Sequence, residues 1–316
     1  MVESKPARRV RVVEVGPRDG LQNEPRPIPT RTKIRFIESL ADAGFPVVES
    51  TSFVNPNAVP QMADADVVML SLGRRPGVRY LALVPNAKGL DRALAVGVDA
   101  IALFTSATDA FARANVGTSI DGTFARFAPV VDRARDAGCW LRGYVSVAFG
   151  CPYSGPVRPE AAVAVAANLF ALGCDEVSIA DTIGSADSDA VTDLLVAASS
   201  ALPIDRIALH FHDTAGRAID NVQAGLAGGV RVFDSSAGGL GGCPFAPGAP
   251  GNLATERLLE TLSAWGWESG VDLATVERAV AALVAAGAND PGTNAGDAAL
   301  LPDRERCGWV TGSSSA

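Results

Sequence analysis

The chain has 316 residues, of which 48% are apolar, and 27 basic against 35 acidic residues give a net charge of −8. This composition predicts a globular protein with a large core, and the acidic balance argues against a nucleic-acid or anionic-membrane partner. No apolar run approaches the roughly 20 residues of a membrane span, and no signal or transit peptide precedes the first apolar strand near Val10. Five irregularly spaced cysteines indicate reduced thiols. We therefore expect a cytoplasmic protein.

The predicted elements repeat one sequence pattern, in which a helix ends at a glycine and an apolar strand begins two or three residues later. Glycine suits the left-handed residue that ends a helix, and strands that are apolar on both faces are typical of a parallel sheet. This pattern predicts strands at residues 47–49, 98–103, 139–144, 175–179 and 230–234. Strands predicted at residues 11–15, 79–84 and 206–210 bring the number to eight.

Amphipathic helical patterns separate these strands. The longer ones cover residues 119–137, 159–172, 187–201 and 214–227. Eight alternating strands and helices predict a closed (β/α)8 TIM barrel, with a doubly wound open sheet as the alternative. Two additional C-terminal helices are predicted at residues 252–265 and 271–286. We expect one barrel domain with these helices over residues 1–288 and a loosely ordered tail over residues 289–316.

Both histidines of the chain follow the seventh predicted strand, in the run from His210 to Thr214. Alternate side chains of a strand share a face, so His210 and His212 can hold one divalent cation, although a structural pair on a half-buried strand is the alternative. Active sites of barrels lie at the carboxyl ends of the strands. Polar runs fall at that end of five strands, at residues 14–20, 49–52, 142–144, 181–182 and 210–213. This one-sided placement favours a metal or catalytic site.

Four runs carry a resemblance to 3-hydroxy-3-methylglutaryl-CoA lyase. They are EVGPRDGLQNE from Glu14, TSFV from Thr51 with VPQM from Val59, GCPY from Gly150 and GLGGCP from Gly239. The resemblance spans about residues 10–265 and implies a metal-dependent carbon–carbon lyase on a TIM barrel. It also implies Mg²⁺ or Mn²⁺ bound by Asp19, His210, His212 and Asn252. A carboxylate, two imidazoles and an amide oxygen suit these ions and leave positions open for substrate oxygens.

Roles for further residues come from the resemblance and from the chemistry of cleaving a 3-hydroxyacyl thioester. Arg18 would stabilise the enolate oxygen, with a structural ion pair as the alternative. Cys243, in a glycine-rich loop, would be a catalytic thiol, whereas a small buried thiol is the expected role of Cys151. Glu49 and Asp181 would orient a histidine, balance the metal charge or act as the base, with His210 an equal candidate for the proton. Gln22 and Tyr144 join Arg18 as predicted substrate-binding residues.

The acyl group is left open by departures from the family's usual residues at Thr105, Ser106, Ala215 and Phe245. Such pocket changes alter discrimination by only about 1–3 kcal/mol per methylene-sized difference. A Claisen-type condensing synthase or aldolase of the same superfamily is the alternative function, followed by a non-enzymatic metabolite-binding barrel. The expected partners are an acyl-CoA substrate and a second copy of the chain in a homodimer, and the resemblance implies a place in leucine degradation and ketone body formation.

Overall fold

The computed structural model describes residues 8–241 and 251–287. Eight parallel strands form a closed barrel in which neighbours follow the chain order and the last strand pairs with the first. The strands are β1 (Arg11–Glu14), β2 (Val47–Ser52), β3 (Arg79–Leu83), β4 (Ala100–Ser106), β5 (Trp140–Ser146), β6 (Glu176–Asp181), β7 (Ile207–Phe211) and β8 (Val232–Ser235). The predicted TIM barrel is confirmed, and the doubly wound open sheet is excluded.

Helices surround the barrel, one or two after each strand. They are α1 (Thr30–Asp42), α2 (Ala65–Ser71), α3 (Ala87–Ala95), α4 (Asp109–Val116), α5 (Ile120–Asp136), α6 (Pro159–Leu172), α7 (Ser188–Ala198), α8 (Ala218–Ala227), α9 (Thr255–Ala264) and α10 (Leu273–Ala285). The two C-terminal helices are confirmed as α9 and α10. The helix predicted over residues 214–227 begins only at Ala218, because Gly216 adopts a φ of +71° in a turn before it.

Alternation along the strands divides most of the apolar core into two clusters, one on each face of the barrel wall. The smaller cluster lies inside the barrel and includes Val13, Leu81 and Val232. The much larger one joins the strands to the helices, and Val12 of β1 and Leu40 of α1 are fully buried in it. Most of the apolar burial therefore lies between the strands and the helices, and less of it lies inside the barrel.

Charged side chains fill much of the barrel interior. The fully buried Arg142 guanidinium lies 2.6 Å from an Asp234 oxygen and 2.9 Å from a Glu176 oxygen. The second Glu176 oxygen pairs with Arg11. Opposite charges at these distances offset the cost of removing each group from water. The chain of ion pairs runs from the amino end of the barrel towards His210, whose Nδ1 lies 3.4 Å from Asp234.

Several features lie outside the regular barrel pattern. A two-residue strand, Arg8–Arg9, pairs in parallel with Trp267–Glu268. Val147, directly after β5, adopts a φ of +51° while fully buried, and its N–H donates to the Thr182 hydroxyl over 2.8 Å. Within residues 8–241 and 251–287, no helix has the length and apolar character needed to cross a membrane. The predicted tail at residues 289–316 lies outside the described residues.

Candidate active site and metal centre

Three predicted metal ligands converge at the carboxyl end of the barrel. Asp19 lies in the single π-helical turn Gly16–Gly20 that follows β1, and the two histidines come from β7 and the residue after it. One ligand atom from each of Asp19, His210 and His212 lies within 4.8 Å of the other two. The sequence prediction that these residues form one cluster is therefore matched by the geometry.

The fourth predicted ligand, Asn252, lies beside this cluster. Its backbone forms an antiparallel bridge with His212, and its Nδ2 donates to Asp19 Oδ2 over 2.9 Å and to the Leu240 carbonyl over 3.1 Å. Because Nδ2 makes both of these hydrogen bonds, Asn252 Oδ1 is buried without a hydrogen-bond partner among the described residues, as is His212 Nδ1. Buried acceptors in this condition are costly unless a further group satisfies them. A divalent cation would do so, and the residues present fit one.

The protonation states of Asp19 and His212 also suit a cation. Burial, with some help from His210, lowers the pKa of His212 to about 3, so the imidazole is neutral and its lone pair is available. Burial opposes ionisation of Asp19, but the charges of Arg18 and His210 outweigh it and lower the pKa to about 2. Burial likewise opposes protonation of His210, but its hydrogen bond to Asp234 and the Asp234 charge raise the pKa. An ionised carboxylate and a neutral imidazole are the forms that bind metal.

Arg18 is held between two carboxylates. Its Nη1 donates to Asp19 Oδ1 and its Nη2 donates to Glu49 Oε2, each over 2.6 Å. The Tyr144 hydroxyl donates to the same Glu49 oxygen over 3.2 Å, and the guanidinium lies 5.8 Å from the centre of the Tyr144 ring. Burial acts against the charge on Arg18, but Glu49 and Asp19 raise its pKa further above the ordinary value. Arg18 is thus a fixed, charged donor beside the cluster, and the ion pair considered as the alternative from sequence is present with both Asp19 and Glu49.

The remaining predicted residues have distinct surroundings. Gln22 donates to Asp19 Oδ1 over 3.0 Å. Asp181 accepts the N–H groups of Ser185 and Ala186 over 3.0 and 2.9 Å, one on each oxygen, so it fixes the loop after β6. Burial raises the pKa of Asp181 despite these donors. Cys243 lies outside the described residues.

Sequence reasoning assigned no role to Asp234, Arg142 or Glu14. Each stands as a charged residue within a strand, and each is buried to within 1% of full burial. A charge inside a strand that is covered on both faces is itself a signal, because it requires a buried partner. The partner cannot be read from sequence, since Arg142 and Asp234 are 92 positions apart.

Comparison with known proteins agrees with this geometry. The family model described as HMGL-like matches residues 9–284. The chain belongs to the HMGL-like family. It is 49% identical over 267 residues to the hydroxymethylglutaryl-CoA lyase of Pseudomonas mevalonii, covering 84% of this chain and 89% of that protein.

Two further family members are informative about substrates. A Pseudomonas aeruginosa protein named 3-hydroxy-3-isohexenylglutaryl-CoA/hydroxymethylglutaryl-CoA lyase is 47% identical over 84% of this chain and 89% of its own length. The solved structure of a hydroxymethylglutaryl-CoA lyase from Acinetobacter baumannii, in complex with coenzyme A and 3-methylmalate, superposes with a TM-score of 0.85 at 35% identity. The match covers 90% of this chain and 93% of that one. The resemblance stated from four sequence runs is confirmed as family membership.

Proposed function

We propose that this protein is a metal-dependent lyase that cleaves 3-hydroxy-3-methylglutaryl-CoA, or a close 3-hydroxyacyl-CoA analogue, to acetyl-CoA and acetoacetate. Family membership supports the reaction class. The observation that carries the proposal is the position of Arg18, which is fixed by Glu49 and Asp19 beside the cluster of Asp19, His210 and His212. A retro-Claisen cleavage requires this pairing of a cation site with a second positive group for the departing enolate.

Asp19, His210, His212 and Asn252 are the residues proposed to hold the cation. When bound, a divalent ion supplies Lewis acidity towards the substrate oxygens. Oxygen and imidazole ligands favour Mg²⁺ or Mn²⁺, whereas a closed zinc site would favour thiolates. Asp234 Oδ2, which lies 3.4 Å from His210 Nδ1, fixes the orientation of the ring.

Cleavage breaks the C2–C3 bond after the hydroxyl on C3 loses its proton. The O–H electron pair forms the new ketone, and the C2–C3 pair moves into the thioester enolate, which takes up a proton to give acetyl-CoA. Arg18 is proposed to stabilise the enolate oxygen, with Tyr144 and Glu49 positioning the guanidinium and Gln22 positioning Asp19.

Between the two carboxylates proposed as catalytic, Glu49 is the better proton acceptor. Both oxygens of Asp181 accept backbone N–H groups, whereas Glu49 Oε1 is buried and has no hydrogen-bond partner within the part of the chain that the structure describes. Burial raises the pKa of Glu49 even though Arg18 lies beside it, which makes its carboxylate a stronger base. His210 stays the alternative acceptor, and Cys243 is proposed to return the proton to the enolate.

An acetoacetate assay tests the proposal. Protein loaded with Mg²⁺ or Mn²⁺ and kept reduced is expected to release acetoacetate from 3-hydroxy-3-methylglutaryl-CoA, and the same assay over a panel that includes the isohexenyl analogue ranks the acyl groups. Absence of cleavage across the panel would refute the lyase. Condensation of an acyl-CoA with an oxo acid by the same preparation would instead favour the synthase alternative.

The remaining proposals concern partners and location. We propose an acyl-CoA substrate and a homodimer, which sedimentation of the reduced protein at several concentrations tests directly. A cytoplasmic location is supported by Cys139, Cys151 and Cys174, which are free thiols within the part of the chain that the structure describes.

A further inference from the structure

Glu14 is a buried carboxylate that the proposed reaction does not use. It ends β1 with its side chain on the helix-facing side, since Val12 two residues earlier lies in the outer apolar cluster while Val13 and Val15 line the interior. Its exposed fraction is 0%. Among the described residues, no lysine, arginine or histidine forms an ion pair with it, in contrast to the buried Glu49 and Glu176.

Three donors from three separate segments satisfy this carboxylate. Oε1 accepts the N–H of Gly16 over 2.7 Å and the N–H of Ala237 over 2.9 Å, and Oε2 accepts the Thr255 hydroxyl over 2.7 Å. Gly16 opens the turn that carries Arg18 and Asp19. Ala237 is the second residue of the glycine segment, which we define as residues 236–241. Thr255 begins α9, three residues after Asn252.

The segments that Glu14 joins are also packed without space between them. A Cβ atom on Gly20 would lie 2.7 Å from Leu240 Cβ, and one on Gly241 would lie 2.8 Å from Asn252 Nδ2. A Cβ on Gly16 would lie 2.7 Å from Glu14 Oε1 itself. At these distances a displacement of the turn must displace the glycine segment. A residue that fixes the position of one relative to the other therefore holds both in place.

We propose that Glu14 is the positioning residue that holds the Arg18–Asp19 turn, the glycine segment and the Asn252 side of the site in register. The inference rests on the proposed function for its catalytic meaning. An apolar residue would fill the same space in the outer layer at lower cost, because an unpaired carboxyl group is expensive to bury. No apolar residue could accept three donors from three segments.

The protonation state sharpens the test. Burial raises the pKa of Glu14 to about 8, the charge of Glu256 acts in the same direction, and the three donors act against it. Near neutral pH much of the carboxyl group is therefore protonated. In that form it still accepts both N–H groups and donates to the Thr255 oxygen, while the Thr255 hydroxyl turns to Ser235 Oγ, 2.7 Å away, so the contacts to all three segments are kept. Glutamine reproduces that arrangement, since its amide oxygen accepts and its NH₂ donates.

Amide hydrogen exchange measured by mass spectrometry tests the register directly, without metal or substrate. Glu14→Ala is expected to accelerate exchange about tenfold in peptides covering both residues 16–20 and the glycine segment. Val12→Ala, on the same face of the same strand, is the matched control and is expected to destabilise the fold without selective loss in those two peptides. The proposal is overturned if Glu14→Ala leaves their protection unchanged, or if Val12→Ala accelerates them equally.

Two further measurements separate positioning from general stability. Glu14→Ala is expected to lower kcat about 10- to 100-fold and to weaken Mn²⁺ binding about tenfold in the absence of substrate, and Glu14→Gln is expected to recover most of both. Thr255→Val, which removes one donor, is expected to show the same exchange pattern at smaller amplitude, and it replaces Glu14→Ala should that variant not fold. A Gln variant as defective as Ala contradicts the proposal. A wild-type protein without lyase activity refutes the proposed function while the exchange result still decides the role of Glu14.

Discussion

The inside of the barrel and the layer between barrel and helices are built from different chemistry. The interior combines a small apolar cluster with buried ion pairs that end at His210, whereas the outer layer buries a far larger apolar set that includes Leu40. Apolar burial is the main stabilising contribution to folding, whereas buried ion pairs roughly offset their own desolvation. The comparison indicates that the outer layer stabilises the fold and that the interior positions the site.

The largest effect is expected where the interior reaches the barrel mouth. Asp19→Ala or His212→Ala should lower kcat/KM by about 10³-fold or more, because each removes a ligand of the proposed cation and with it several kcal/mol of charge stabilisation. Mn²⁺ titration followed by its paramagnetic signal should show weakened binding in both. Unchanged affinity in both variants would show that the cluster is not the metal site.

The next effect separates two cysteines. Cys243→Ala should lower turnover by about 10²-fold or more with substrate binding retained, because it removes a proposed proton donor. Cys174, fully buried in the outer layer, is the control, and Cys174→Ala should melt earlier with turnover near normal. Steady-state kinetics and thermal melting distinguish the two. If Cys243→Ala were fully active but melted early, Cys243 would be a structural thiol.

A substitution in the outer layer should lower the stability of the fold and leave turnover unchanged. Leu40→Ala leaves a cavity beneath α1 and should lower the free energy of unfolding by about 2–5 kcal/mol. The kcat measured well below the melting temperature should stay near the wild-type value. Urea unfolding of wild type and variant, with activity assayed on the same samples, gives both numbers. A loss of kcat without a loss of stability would break the division between the two layers.

The smallest effect concerns the pH dependence of stability. Glu14 is an exception to the division between the two layers, because it is a titratable group in the outer layer. Its folded pKa of about 8 lies above the ordinary value of 4.5, so its contribution is present in full below about pH 4.5 and is lost as pH rises through about 8. Wild type should therefore lose about 1–2 kcal/mol relative to Glu14→Gln between about pH 6.5 and about pH 8. Parallel stability curves for the two proteins would contradict this.

Local patterns predicted most of the fold. The helix-ending glycines located the strands, and Pro159 begins α6 as its fixed φ suits a first turn. The predicted start of α8, at residue 214, was wrong for a local reason, because Gly216 interrupts an otherwise helical run. Two short helices, α2 and α4, were missed because their seven and eight residues are too few for a repeating apolar pattern to be recognised.

The candidate site was predictable where residue type and strand position were enough. Asp19, His210 and His212 fall at the ends of two strands, so a barrel brings them together. Partners from distant strands were not predictable, as with Glu14 and Ala237, which are 223 positions apart. Such pairings depend on barrel closure and side-chain direction, which a single sequence does not encode in any local signal.

Val147 adds a mechanical property to the mouth of the site. A β-branched residue at a φ of +51° stores about 1–3 kcal/mol of backbone strain, which its buried packing and its N–H bond to Thr182 must offset. The chain directly after β5, three residues from Tyr144, therefore cannot relax to another shape at low cost. Gly238, Gly239 and Gly241 adopt positive φ on the other side without strain. The mouth thus has one wall whose backbone is held in a strained shape and one whose glycines reach their packed positions without strain.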